Sequence, residues 1–112
     1  MDIQDDFAEA ARDFAEKAKA AATSAVAIQN AFKAVEYALS AYAKGHGKRI
    51  PEAHYQAENL AHRLSRDIGR KFTELFRMYL GSYRLEDGER RARALELMNE
   101  LLEEMREHGV EI

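Results

Sequence analysis

An unbroken stripe of apolar residues at helical spacing fills the first part of the chain and constrains its fold more than any other feature. Successive positions alternate intervals of four and three residues without a lapse. That spacing places all of them on one face of an α-helix. The positions are Phe7, Ala11, Phe14, Ala18, Ala21, Ala25, Ile28, Phe32, Val35, Leu39 and Tyr42.

The stripe is compatible with one helix or with two, because residues 6–44 contain neither glycine nor proline. A single helix of that length would span about 60 Å, roughly twice the width of a compact domain of this size, and would need a partner to cover it. Thr23 and Ser24 follow a run of three alanines and are residues that favour a helix N-cap. We therefore expect a break or kink near Thr23.

Two more helices are expected after the glycines at 45 and 47. The first should start near Ile50, with Pro51 in its first turn, and run to about Gly81 with Gly69 as a weak point in its middle. Its apolar face comprises Leu60, Leu64, Ile68, Phe72, Leu75, Phe76, Tyr79 and Tyr83.

A turn over residues 81–88 separates this segment from a last helix, which carries apolar residues from Leu95 to Met105 and should end at Gly109. Connections this short favour antiparallel neighbours. The sequence thus predicts an all-α, antiparallel bundle of three long helices, or four if the first divides near Thr23. We expect one domain covering residues 1–112.

Composition narrows the class of protein. No cysteine is present, which excludes disulfides and thiolate metal sites, and no apolar run is long enough to cross a membrane. The acidic start of the chain does not resemble a signal peptide. These features predict a cytoplasmic protein without a membrane partner. The 33% charged residues and the excess of arginine over lysine are compatible with a thermophilic source.

Charge is unevenly distributed along the chain. Residues 1–43 carry four basic and seven acidic side chains, residues 44–93 carry twelve and seven, and residues 94–112 carry one and six. The basic middle could attract a phosphate-bearing partner. It could equally pair with the acidic ends of its own chain or of a sister chain.

Arginines recur on the polar side of the second predicted helix, where they could bind phosphates. Guanidinium groups match the geometry of phosphate oxygens, which suits a nucleotide or RNA ligand. The alternative is a solvated face whose arginines pair with Asp67, Glu74 and other carboxylates. The arginines are Arg63, Arg66, Arg70 and Arg77.

Two further residue sets have spacings that suit chemistry. His54, Glu58 and His62 fall on one flank of a helix and could bind a metal, but three ligands spread over two helical turns rarely converge on one ion. We expect no metal, and hydrogen bonds between helices for the histidines. Arg49 and His54 could act together in metal-independent RNA cleavage, although Pro51 between them suggests a loop and a helix start.

Three features of the chain together carry a family resemblance. They are the segment Asn30-Ala-Phe-Lys-Ala-Val-Glu-Tyr-Ala-Leu-Ser-Ala-Tyr-Ala-Lys-Gly45, a histidine-containing helix, and the segment Tyr79-Leu-Gly-Ser-Tyr-Arg84 before a closing helix. With these features, the chain resembles the HEPN family over about residues 24–105. The resemblance implies a small, often dimeric helical bundle. It also implies a possible nucleotidyltransferase partner and association with nucleotides or RNA. Active ribonucleases of that family carry an Arg-x4-6-His motif in a later helix. No histidine follows Arg77 or Arg84 at that spacing.

We therefore predict a non-enzymatic binding or assembly module, homodimeric, without a cofactor, and associated with nucleotides or RNA. Two alternatives stay open. One is a metal-independent ribonuclease that uses Arg49 and His54. The other is a purely structural module that binds another protein.

Overall fold

The computed structural model describes residues 3–82 and 86–112, with side chains described from residue 6 onward. Tyr83, which was assigned to the apolar face of the second predicted helix, lies outside the described residues. So does Arg84, the last residue of the segment that carries the family resemblance. Five helices and no strand occur in these ranges, so the all-α prediction is confirmed. The radius of gyration is 13.0 Å, the value expected for a compact domain of about 100 residues.

The apolar stripe is divided between two helices, α1 (Ile3–Ala20) and α2 (Ser24–Gly45). Thr23 is the N-cap of α2, and its hydroxyl accepts a hydrogen bond from the backbone N–H of Val26 at 3.2 Å. The two helices fold back on each other, and the ring of Phe14 stacks on that of Tyr37 with centroids 5.4 Å apart. The prediction of a break near Thr23 is confirmed.

The second predicted helix is in fact two helices, α3 (His54–Leu64) and α4 (Arg66–Leu80), so the prediction of one continuous element was wrong. Ser65 adopts an extended backbone and its hydroxyl accepts from the N–H of Ile68 at 2.9 Å, which caps α4. Pro51 lies outside α3, which begins three residues later than the proline. With this division, the described residues form five helices where three or four were expected.

The last helix, α5 (Gly88–Glu107), ends before Gly109 as the sequence predicted. It packs against α1, α2 and α4. Its orientation relative to α4 is antiparallel. Near the start of α5, Arg90 donates to the carbonyl of Met78 at the end of α4, and near the end of α5, Glu104 pairs with Lys71 from the first half of α4.

Helices α2 and α5 run parallel, because their first residues meet and their last residues meet. At one end, Ser24 donates its backbone N–H and its hydroxyl to the two carboxylate oxygens of Glu86, at 2.8 and 2.6 Å. These hydrogen bonds lower the pKa of Glu86. At the other end, the ring of Tyr42 lies edge-on to that of His108. The antiparallel arrangement therefore holds for α1 with α2 and for α4 with α5, which short connections join; the expectation did not concern α2 and α5, which are not consecutive in the chain.

The core has two kinds of packing. Alanines dominate the contact between α1 and α2, where Ala11, Ala18 and Ala31 are fully buried. Larger rings fill the space between α2 and α4, where Phe32 packs against Phe72 with centroids 5.4 Å apart. Among the described residues, no helix has both the length and the apolar character needed to cross a membrane.

Candidate functional site

The four arginines that the sequence placed on one helical face are split by the break at Ser65. Arg63 lies in the last turn of α3, whereas Arg66, Arg70 and Arg77 belong to α4. Arg63 lines one groove, and Arg70 and Arg77 line another. Arg66 lines neither of these two grooves.

The first of these, which we call the α3 groove, has a volume of about 400 Å³. Its polar lining consists of two cations from the connection before α3, one cation from the end of α3, and two amide side chains. Ile50, Pro51 and Leu60 form its apolar part. The full lining is Lys48, Arg49, Ile50, Pro51, Gln56, Asn59, Leu60 and Arg63.

The turn after α2 brings two of the cations to this groove. Gly47 has a φ of +65°, a conformation that glycine adopts without strain, and it reverses the chain after α2. The N–H of Lys48 then donates to the carbonyl of Ala43 at 2.8 Å, which fixes the path of the connection. Lys48 and Arg49 follow directly, so the turn sets where both side chains start.

Helix α3 supplies the rest of the polar lining from one face. Gln56, Asn59 and Arg63 are separated by three and four positions, the spacing that places residues on the same side of a helix. The Oε1 atom of Gln56 accepts a hydrogen bond from the N–H of Glu52 at 2.7 Å. The amide nitrogen of Gln56 therefore stays available as a donor, and the groove is rich in donors.

The α3 groove is also free of negative charge. No carboxylate belongs to its lining. In the part of the chain that the structure describes, Lys48, Arg49 and Arg63 form no ion pair, in contrast to Arg70, which meets Asp67 at 2.7 Å. Three unneutralised cations around one concave surface create a positive potential there.

The second groove is lined by residues of α3, α4 and α5 and has a volume of about 690 Å³. It includes one carboxylate, Glu74, which Arg93 holds through two hydrogen bonds of 2.7 and 2.8 Å. The Arg93 guanidinium lowers the pKa of Glu74. The groove therefore carries more neutralised charge than the α3 groove. Its lining is His62, Arg70, Thr73, Glu74, Arg77, Met78 and Arg90.

The candidate metal ligands do not converge. Glu58 accepts a hydrogen bond from the hydroxyl of Thr73 at 2.7 Å, and the same hydroxyl lies 2.9 Å from Nε2 of His62. The Nδ1 atom of His54 lies 2.6 Å from Oε2 of Glu36 instead. Both histidines thus make the hydrogen bonds between helices that the sequence offered as the alternative. No group of metal-ligating side chains was found among the described residues.

Arg49 and His54 are not brought to a common site. Arg49 lies in the connection between α2 and α3, and His54 is the first residue of α3, as their separation by Pro51 suggested. They line different cavities: Arg49 belongs to the α3 groove, and His54 to a cavity between α1, α2 and the start of α3.

We call this latter space the Glu36 cavity, and its volume is about 460 Å³. Burial raises the pKa of Glu36, and the hydrogen bond with His54 and the charges of His54 and Lys33 oppose that rise. Sequence reasoning missed this site because Glu36 and His54 belong to different helices. The lining is Phe14, Lys33, Glu36, Tyr37, Ser40, Pro51, Glu52, Ala53, His54 and Ala57.

Comparison with known proteins adds no relative: no protein-family model, curated protein sequence or solved structure matches the chain.

Proposed function

We propose that the chain is a non-enzymatic binding module that associates with RNA or nucleotides by holding their phosphates in the α3 groove. The observation that carries this proposal is the convergence of Lys48, Arg49 and Arg63 on one groove that has no carboxylate in its lining. A cation without an acidic partner has no ion pair to give up when a phosphate arrives.

The chemistry of the groove suits phosphates on two grounds. Guanidinium groups bind phosphate oxygens through paired N–H donors, and Arg49 and Arg63 provide two such groups. The amides of Gln56 and Asn59 supply neutral donors of the kind that commonly accompany phosphate contacts. Arg66 and Arg77 of α4 form no ion pair within the described residues, and they would extend contact to a longer polyanion.

The first prediction concerns salt dependence. Binding of a fluorescently labelled single-stranded RNA is followed by anisotropy at several salt concentrations. The affinity should fall as salt rises, because binding releases salt cations condensed on the phosphates and this release is less favourable at high salt. Arg49→Ala and Arg63→Ala should each weaken binding and each reduce the slope of log affinity against log salt by about 1.

Lys19→Ala is the matched control. Lys19 is an exposed cation on α1 that lies 3.7 Å from Glu16 and outside the α3 groove, and its removal changes the net charge equally. Equal losses in Lys19→Ala and Arg63→Ala would show attraction by net charge alone and would contradict a site in the groove. Absence of binding by the unmutated protein at low salt would favour the purely structural alternative.

We do not propose the ribonuclease alternative. A cleavage reaction would need Arg49 and His54 at the same phosphate, and they line different cavities. RNA cleavage by the unmutated protein that is lost in His54→Ala would be needed to revive it.

The resemblance to the HEPN family supports two further parts of the proposal, a homodimer and a nucleotidyltransferase or other protein partner. A cytoplasmic location is also part of the proposal, and it rests on the absence of cysteine and of a signal-peptide pattern. A thermophilic source, suggested by the high charge content, is likewise a proposal.

A further inference from the structure

The Glu36 cavity contains polar groups that the fold itself does not use. Ser40 is only 8% exposed and its hydroxyl lines the cavity without a hydrogen-bond partner. Only one oxygen of Glu36, Oε2, is engaged, by His54 at 2.6 Å. No donor of the described chain contacts the other oxygen, Oε1. Both atoms are reached by solvent, so water can satisfy them in the free protein, and a ligand with hydrogen-bond donors can take the place of that water.

The position of these two groups on α2 allows one ligand atom to meet both. Glu36 and Ser40 are separated by four positions of the same helix, which places their Cβ atoms roughly 5–6 Å apart on one face. Both offer oxygen acceptors, and an ionised carboxylate has acceptors but no donor. A ligand that carries several N–H donors on one nitrogen fits this arrangement.

The charge and the walls of the cavity favour a cation with an apolar body. Glu36 and Glu52 contribute carboxylates. The cations of Lys17 and Lys33 are directed to the ring of Phe14, with Nζ 5.0 and 5.6 Å from its centroid. Phe14 and Tyr37 form a stacked aromatic wall, with their rings inclined by only 6°. Aromatic faces attract cations as well as apolar groups. The volume of about 460 Å³ lies within the usual range for small-molecule sites.

We propose that the Glu36 cavity binds a small primary amine, whose ammonium group contacts Glu36 and Ser40 and whose apolar body lies against Phe14 and Tyr37. This site is separate from the α3 groove and does not depend on RNA or nucleotide binding. His54 is a positioning residue here, because it holds the carboxylate of Glu36 through its Nδ1 atom.

Three probes of similar size and different charge test the proposal: benzylamine, benzyl alcohol and benzoate. Each is titrated at millimolar concentration while backbone amide shifts are followed by nuclear magnetic resonance. Benzylamine should shift the amides of residues 36–40 and 53–57, and the other two probes should not. Glu36→Gln should weaken benzylamine binding by about tenfold to a hundredfold, since it removes a charged acceptor.

Glu58→Gln is the matched control, because Glu58 is also a half-buried glutamate with one hydrogen bond to a neighbouring helix, but it lies outside the cavity. It should bind benzylamine as the unmutated protein does. Ser40→Ala suits a helix and should weaken binding, which provides a second variant if Glu36→Gln unfolds. Thermal unfolding of each variant establishes that it is folded.

Three results would overturn the proposal. They are equal or tighter binding of benzoate, no shift with benzylamine, and unchanged benzylamine affinity in both Glu36→Gln and Ser40→Ala. RNA binding should be unaltered in these two variants, so failure of the amine site and failure of the α3 groove are distinguishable.

Discussion

At the scale of single residues, Gly69 controls how closely α3 and α4 approach. A Cβ atom added at this position would lie 2.3 Å from Nδ1 of His62 and 2.7 Å from its Cα. The second distance involves backbone, which a side-chain rotation cannot relieve. The hydrogen bonds of Thr73 with Glu58 and with His62 depend on the same close approach, because both join α3 to α4.

Gly69→Ala should therefore destabilise the protein, although alanine is ordinarily the better residue within a helix. We expect a loss of about 1–3 kcal/mol in the free energy of unfolding, as for other overpacked interiors. Gly88→Ala is the control: nothing lies within 4 Å of a Cβ there, and it should leave stability unchanged or raise it by up to about 1 kcal/mol. Urea unfolding measures both. Equal stability of the two variants would contradict the close approach.

Residue-level features were predictable only where the cause is local in sequence. Thr23 and Gly109 were recognised because caps and stops depend on a few neighbouring residues. Gly69 was interpreted only as a weak point within a helix. Its close contact was not predicted, because the residue that it meets, His62, belongs to another helix. The same limit hid the pair of Glu36 and His54, which are 18 positions apart.

At the scale of helices, the break at Ser65 shows where periodicity fails. The apolar positions Leu60, Leu64, Ile68 and Phe72 keep an interval of four through the break, so the stripe predicts one helix. The serine interrupts it because its hydroxyl replaces a backbone carbonyl as the acceptor for the N–H of Ile68. That same break separates Arg63 from the other arginines and turns it toward the α3 groove, which the stripe alone could not reveal.

The cap at Ser65 can be tested by two substitutions. Ser65→Ala removes the acceptor and should lower the free energy of unfolding by about 1 kcal/mol, whereas Ser65→Asp keeps an acceptor and should retain most of the stability. Denaturant unfolding of the two variants and the unmutated protein provides the measurement. If Ser65→Asp lost as much stability as Ser65→Ala, the hydroxyl contact with Ile68 would not be stabilising the start of α4.

At the scale of the whole molecule, the long apolar stripe from Phe7 to Tyr42 is covered by other parts of the same chain. Because α1 and α2 fold against each other, most alanines of both helices are buried without a second copy. Val26, Tyr55 and Leu80 are exposed large apolar residues, and scattered residues of this kind are common on monomers. The homodimer thus rests on the uneven charge along the chain and on the family resemblance.

Light scattering at micromolar concentration tests the homodimer. A dimer should give twice the chain mass of 12.8 kDa. If basic and acidic segments of sister chains hold it together, the mass should fall toward that of one chain as salt rises, because exposed charges are screened. A mass of one chain at low salt would remove the homodimer from the proposal.

The parallel arrangement of α2 and α5 constrains the order in which the chain can assemble. Helices α1 and α2 need only a short connection to meet, so their pairing costs little loop entropy and is local. A short turn cannot join parallel helices, so α3 and α4 must return the chain to the end of the molecule where α2 begins before α5 can pack against α2. The contact between Ser24 and Glu86, 62 positions apart, then joins the first residue of α2 to the residues just before α5. During synthesis, Ser24 at the beginning of α2 can therefore form its hydrogen bonds only after Glu86, just before α5, has been added to the chain.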